Sequence, residues 1–216
     1  MASPLIDHAI LQADQLLRSL SGVGPTARRP SPAQALPPAA STDAELTPEE
    51  RRHAAGLMRV NHTGEICAQA LYQGQALTAR DPAVRRTLTH AAREEEDHLA
   101  WCAERLAELK ADPSRLNPVF YGLSYGMGVL AGMAGDRVSL GFIHATEDQV
   151  VAHLDRHRES LPERDLRSRA IVERMREDES RHGEEALEAG GQTFPEPVRR
   201  LMTAVSRLMT ATAYRI

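Results

Sequence analysis

Apolar residues recur at helical spacing along most of this chain, in blocks bounded by capping and breaking residues. The first block opens at Thr47-Pro48-Glu49-Glu50. Thr47 can cap, Pro48 suits the first helical position and Glu50 completes a capping box. This predicts a helix to about Ala79, stopped before Asp81-Pro82. A second helix is expected from about Ala83 to Leu109, with Val84, Leu88, Ala91, Cys102 and Leu106 facing inward. A third should cover roughly 127–158 and stop at Ser160-Leu161-Pro162. A fourth should cover roughly 163–189, with Ile171, Val172, Met175 and Ala186 inward, and end at Gly190-Gly191. A last helix follows Pro197. No stretch sustains strand alternation with β-branched residues. The pattern is that of an all-α protein, a four-helix bundle with extra N- and C-terminal helices.

The N-terminal region differs. Residues 4–20 predict a short amphipathic helix, with Leu5, Ile6, Ile10, Leu17 and Leu20 near one side. Residues 21–46 are rich in Pro, Ala, Ser and Gly and predict a mobile linker. The expected organisation is therefore a helix within 1–20, a linker over 21–46 and one folded domain over 47–216. The first residues carry Asp7 and Asp14 and lack a basic segment followed by an apolar one, so no signal peptide is expected.

Composition narrows the class. The 216 residues suffice for one domain with a real core. A net charge of −4 without a basic stripe argues against nucleic acid as a partner. Cys67 and Cys102 form neither a disulfide framework nor a zinc knuckle and read as reduced, buried thiols.

Two copies of Glu-x-x-His carry the candidate chemistry. Glu65 precedes Glu95 of Glu95-Glu96-Asp97-His98 by 30 positions, and Glu147 precedes Glu179 of Glu179-Ser180-Arg181-His182 by 32. Residues i and i+3 share a helix face, so each motif aims a carboxylate and an imidazole at one point. Asp81 and Leu161 lie near the midpoints of the two intervals. In an antiparallel hairpin, residues equidistant from the turn lie at one height, so each lone glutamate meets its Glu-x-x-His. Two such hairpins packed together bring Glu65, Glu95, His98, Glu147, Glu179 and His182 into one cluster. Four glutamates and two histidines on four helices match a carboxylate-bridged dinuclear iron or manganese site. Burying four carboxylates without cations would cost many kcal/mol.

Other candidates read differently. Glu50-Arg51-Arg52-His53 repeats the motif, but Glu50 is committed to capping and no partner glutamate stands at the right distance. Glu94, Glu96, Glu177 and Glu184 are expected on solvated faces. Asp178 is expected to hydrogen-bond an imidazole of the facing helix. His62, His144 and His153 read as core or supporting histidines rather than ligands. Gly126-Met127-Gly128-Val129-Leu130-Ala131 mimics a dinucleotide fingerprint, but no strand precedes it. Its glycines suit close helix packing or contact with lipid.

The run Leu57-Met58-Arg59-Val60-Asn61-His62-Thr63-Gly64-Glu65 resembles the start of the demethoxyubiquinone hydroxylase family, a branch of the ferritin-like superfamily. The resemblance continues through Glu95-Glu96-Asp97-His98, Glu147-Asp148-Gln149-Val150 and Asp178-Glu179-Ser180-Arg181-His182 and covers 47–216. It implies a ferritin-like bundle and a bacterial di-iron monooxygenase of ubiquinone biosynthesis. Such an enzyme hydroxylates the ring of a polyprenyl methoxy-methyl-benzoquinol with dioxygen. By matching positions, Glu65, Glu95 and His98 would serve one iron, and Glu147, Glu179 and His182 the other, with Glu95 and Glu179 bridging. The resemblance also implies two iron ions per chain, an electron donor such as NADH, contact with membrane lipid and with other ubiquinone-biosynthesis proteins. The alternative is a ferritin-like iron-handling or peroxide-scavenging protein, which shares the ligands but needs no apolar surface.

So apolar a substrate requires contact with a membrane. Residues 116–135 hold no charged side chain, but five glycines and Asn117, Pro118, Tyr121, Ser124 and Tyr125 make them a poor spanning helix. An interfacial segment is expected instead, joined by Leu201, Met202, Val205, Leu208 and Met209 of the last helix. The expected location is the cytoplasmic side of the inner membrane, bound peripherally.

Overall fold

The computed structural model describes residues 26–37 and 46–216. The helix expected at 4–20 lies outside the described residues. The described residues form six α-helices and one 3-10 turn, Pro32–Ala35, with no strand among them. The helices are α1 (Pro48–Thr78), α2 (Pro82–Glu108), α3 (Asn117–Met133), α4 (Asp136–Ser160), α5 (Leu166–Glu188) and α6 (Glu196–Ala213).

Caps fix most of the boundaries. Thr47 Oγ1 accepts from Glu50 N at 3.2 Å while Glu50 Oε2 accepts from Thr47 N at 2.8 Å, the expected capping box. Asp81 caps α2 by accepting from Ala83 N at 2.7 Å, and Asp165 caps α5 by accepting from Ser168 N at 2.9 Å. Helix α5 ends where Gly190 takes φ +100° and Gly191 N donates back to Ala186 O at 3.0 Å. Glycine tolerates that left-handed backbone without a Cβ clash.

The expected third helix over 127–158 is in fact two. Residues 127–133 complete α3, and α4 begins at Asp136. The chain breaks at Gly135, φ +113°, and the Asp136 carboxylate accepts from the backbone N–H groups of Arg80 and Asp81 at 3.0 and 2.8 Å. This joint is thereby tied to the α1–α2 turn. Local periodicity did not reveal the break, because the whole of 116–135 is apolar and glycine-rich.

Helices α1 and α2 form one antiparallel hairpin, and α4 and α5 form the other. Across the seam, Gln75 Nε2 donates to Ser139 O at 2.8 Å and His157 Nδ1 meets Asn61 Oδ1 at 2.8 Å. Among the described residues, two large apolar clusters fill the bundle, and a smaller third one, Ile66, Ala70, Leu99 and Tyr121, joins α3 to α1 and α2. Met58, Trp101, Cys102, Leu106, Leu154, Ile171, Val172 and Met175 occupy one of the large two. Tyr72, Leu88, Ala91, Leu140, Ile143 and Ala186 occupy the other. All nine inward positions expected on the second and fourth helices are buried.

Helix α3 lies along the outside of α1. A Cβ at Gly74 would strike Tyr125 O, and one at Gly128 would strike Leu71 O. The two backbones therefore touch, which accounts for a glycine at each position and assigns the false dinucleotide fingerprint to helix packing. On its far side α3 leaves Val119, Leu123, Met127, Leu130 and Met133 exposed, and α6 leaves Val198, Leu201, Val205 and Leu208 exposed. Among the described residues, no helix is long and apolar enough to cross a membrane.

Over 26–37 the stretch expected to be a mobile linker is folded onto the bundle. Ala33 is buried in the cluster that contains Trp101 and Leu106, and the Arg29 side chain reaches α2 and α5. The signal lay in long-range contacts, which composition does not report.

Candidate metal centre

The two Glu-x-x-His turns face each other at the middle of α2 and α5. His98 Nδ1 lies 3.0 Å from Glu95 Oε2 on its own helix and 3.0 Å from Glu179 Oε1 on the other. His182 Nδ1 lies 3.0 Å from Glu179 Oε2 and 3.2 Å from Glu95 Oε1. Each of Glu95 and Glu179 thus offers one carboxylate oxygen to each imidazole. Glu65, from α1, brings Oε2 to 3.5 Å from His98 Nδ1. One potential ligand atom from each of Glu65, Glu95, His98 and Glu179 lies within 4.8 Å of the others. Glu147, from α4, is buried near Glu95 and Glu179, and its Oε1 accepts from the Tyr72 hydroxyl at 2.6 Å. All six residues are at most 3% exposed.

The outer nitrogens of both imidazoles are held in a crossed arrangement. His98 Nε2 meets Asp178 Oδ2 at 3.1 Å, as expected from the sequence. His182 Nε2 meets Glu94 Oε2 at 2.9 Å. Asp178 precedes Glu179 and serves the histidine of α2, while Glu94 precedes Glu95 and serves the histidine of α5. The expectation that Glu94 lies on a solvated face is corrected: its side chain is 19% exposed and also accepts from Arg181 at 3.0 Å. Glu96 is half-buried, and Glu177 and Glu184 are exposed.

Electrostatics show what this cluster demands. Burial, reinforced by the charges of Glu95 and Glu179, pushes the Glu65 carboxyl well above its usual range. Burial and the same two neighbours push Glu147 up as well. Burial works against charge on both imidazoles, yet the surrounding carboxylates hold His98 and His182 far above the ordinary histidine value. Glu95 is held well below its usual range, against its burial, by the two histidines. Burial thus opposes charge on these carboxylates unless positive groups stand beside them, a role that metal cations would fill. Glu65 Oε2 and Glu95 Oε1 are buried, and apart from their approaches to the two imidazoles neither is satisfied by a hydrogen bond. Buried carboxylate oxygens converging with two imidazole nitrogens suit hard divalent or trivalent metal ions.

Other sequence candidates fall elsewhere. His53 hydrogen-bonds Tyr214 Oη at 2.7 Å and Ser160 at 3.0 Å, and Glu50 is in its cap, so the third Glu-x-x-His holds no site. His62 faces the Asn117 amide at 3.4 Å, and His144 Nδ1 faces Gly183 O at 3.2 Å. The His153 ring lies 3.8 Å from that of His157, tilted by 56°. Tyr72 was missed, although it stands two helical turns beyond Glu65 on the same face of α1. Glu94 could have been found by comparing the residues before Glu95 and Glu179. Arg29 gave no signal, because its partners Asp97 and Asp178 lie 68 and 149 positions away. A small cleft between α4 and α5, lined by His144, Asp148, Val151 and Gly183, reaches Glu179.

Comparison with known proteins gives this geometry a family. The model of the family described as "Ubiquinone biosynthesis protein COQ7" matches residues 52–213. The chain belongs to this family. Its curated relatives include a protein of Ectopseudomonas mendocina named 3-demethoxyubiquinol 3-hydroxylase, 57% identical over 211 residues, covering 98% of this chain and 96% of that one. A protein of the same name from Ralstonia pickettii is 57% identical over 218 residues, covering 98% and 100%. A third, from Pseudomonas putida, is 56% identical over 214 residues, covering 99% and 97%. Near-complete coverage in both directions means the match includes the whole bundle and both Glu-x-x-His turns.

Proposed function

We propose that this chain is a 3-demethoxyubiquinol 3-hydroxylase, a monooxygenase that adds a ring hydroxyl to a polyprenyl methoxy-methyl-benzoquinol in ubiquinone biosynthesis. The observation that carries this reading is the crossed contact of Glu95 and Glu179 with both imidazoles, in a chain of this family. Glu65, Glu95 and His98 would hold one iron and Glu147, Glu179 and His182 the other, with Glu95 and Glu179 spanning both. When bound, the two irons supply the electrons and the open coordination positions for activating dioxygen.

The protein's own contributions follow from its geometry. Asp178 and Glu94 orient the imidazoles and fix the proton on Nε2, leaving Nδ1 to face inward. Tyr72 holds Glu147 by a short hydrogen bond. The apolar clusters above and below the charged band close its two ends to bulk water. An electron donor such as NADH is needed to complete the reaction.

The exposed stripes of α3 and α6 suit peripheral attachment to the cytoplasmic side of the inner membrane. Both helices rest on α1: Gly128 against Leu71, and Met209 Sδ 3.5 Å from Cys67 Sγ. A prenyl tail left in lipid avoids exposing alkyl surface at about 25 cal/mol per Å². The test is to supply iron-loaded protein with a demethoxyquinol, reductant and air. Appearance of the ring-hydroxylated product supports the reading. Iron oxidation or peroxide consumption without product would favour the iron-handling alternative.

A further inference from the structure

We propose that Arg29, carried by the segment that precedes the bundle, is a positioning residue for one half of the metal centre. It fixes Asp178, and through it the His98 imidazole, and makes the His98 half unlike the His182 half. This rests on the two-iron reading above.

The guanidinium is clamped on three sides. Arg29 Nε donates to Asp97 Oδ2 at 2.7 Å and Nη1 donates to Asp178 Oδ2 at 2.8 Å. Its carbon Cζ lies 4.9 Å from the centre of the Trp101 ring, and Trp101 Nε1 donates to Arg29 O at 3.2 Å. The Trp101 ring in turn lies 5.3 Å from the His98 ring. The backbone is anchored too, with Arg28 N donating to Asp97 Oδ1 at 2.6 Å. One arginine therefore braces His98 by two routes, through Asp178 to Nε2 and through Trp101 to the ring.

The two halves are unequal as a result. Asp178 accepts from Arg29 and also from Arg174 at 2.9 Å and Arg181 at 3.3 Å. Glu94 accepts from Arg181 and has His90 at 3.5 Å. Arg29 and His98 share one oxygen, Asp178 Oδ2. A carboxylate that shares its lone pairs among three guanidinium groups pulls less on the His98 N–H. The imidazole then gives less charge to its metal than the one backed by Glu94. Nothing in the Glu-x-x-His repeat itself imposes this difference.

The experiment uses the full chain with Arg29→Ala, Arg29→Lys, Asp178→Asn and the Arg29→Ala/Asp178→Asn double variant. Anaerobic ferrous titration gives the two affinities, and Mössbauer spectra of the iron-57-loaded protein report each iron. Arg29→Ala should weaken one iron by about tenfold and shift one of two signals, leaving the other as in wild type. Arg29→Lys should restore part of the loss. In the Asp178→Asn background only the route through Trp101 remains, so Arg29→Ala should weaken that iron by clearly less than it does in the wild type. Unchanged irons, equal weakening of both, or full additivity with Asp178→Asn would overturn the proposal and leave Arg29 a staple for its segment. If Arg29→Ala does not fold, an Arg29→Lys protein with both signals unmoved overturns it equally. A wild-type chain that fails to bind two irons would instead refute the underlying metal reading.

Discussion

Asp178 Oδ2 meets His98 Nε2 at 3.1 Å across the interface between α5 and α2, so the residue beside one bridging-position glutamate orients the imidazole of the opposite hairpin. Glu94 does the same for His182 at 2.9 Å. Removing either partner frees a ring to turn or to take the wrong tautomer. Asp178→Ala and Glu94→Ala should each cost about 10–100-fold in affinity for one iron. Glu177→Ala, on an exposed position of the same helix as Asp178, should cost nothing. Equal effects from all three substitutions in metal titrations would contradict this assignment.

Glu95 and Glu179 each touch both histidines, whereas Glu65 and Glu147 lie to the sides. Glu95→Ala or Glu179→Ala should therefore abolish binding of both irons. Glu50→Ala removes a capping box from the third Glu-x-x-His and should leave iron content at the wild-type level, with a slightly lower Tm. Metal analysis of the purified variants decides it. Wild-type iron in Glu179→Ala would refute the ligand assignment.

The exposed stripe on α3 predicts a membrane phenotype. Leu123 and Leu130 are 62% and 67% exposed. Replacing both by Asp should weaken binding to phospholipid vesicles and activity on long-tailed quinols. Iron content and turnover of a short-tailed, soluble quinol should survive. Val129 is a poorer choice, because it is half-buried where α3 meets Gly74. Undiminished vesicle binding would move the docking surface to α6.

His157 predicts an acid-sensitive seam. Burial, with His153 and Arg156 nearby, lowers it to about 2. Burial lowers His62 and His153 to about 4. For each, the unfolded chain takes a proton near pH 6.5 that the folded chain refuses. Stability is constant above that pH and falls below it by about 1.4 kcal/mol per pH unit per group. His157→Gln should flatten the decline between pH 6.5 and 4.5, measured by urea unfolding of wild type and variant at matched pH. Parallel curves would show that His157 titrates normally.

Much of the bundle was legible because its signals are local. The capping box at Thr47, the stop at Asp81-Pro82 and the glycines at 190–191 each act within one helical turn. The carboxylate–imidazole cluster was legible because hairpin symmetry turns sequence spacing into height, which brought Glu65 to His98, and packing of the two hairpins then brought Glu95 to His182. What failed was non-local or masked by uniform composition. The break at Gly135 is invisible in an apolar, glycine-rich stretch and is fixed by Asp136 bonding to Arg80 and Asp81. Glu94 read as solvated because its partners sit on α5. Residues 26–37 read as linker because their stability comes from Asp97, Trp101 and Asp178, none of them near in sequence.

The central claim is that this cluster of carboxylates and imidazoles serves ring hydroxylation. The direct measurement is mass spectrometry of product formed by the iron-loaded chain from a demethoxyquinol under oxygen-18-labelled dioxygen, with reductant. One labelled atom should appear on the ring, and Glu179→Ala should abolish it. Product carrying oxygen from water, or no hydroxylated product from a chain that holds two irons, would contradict the account.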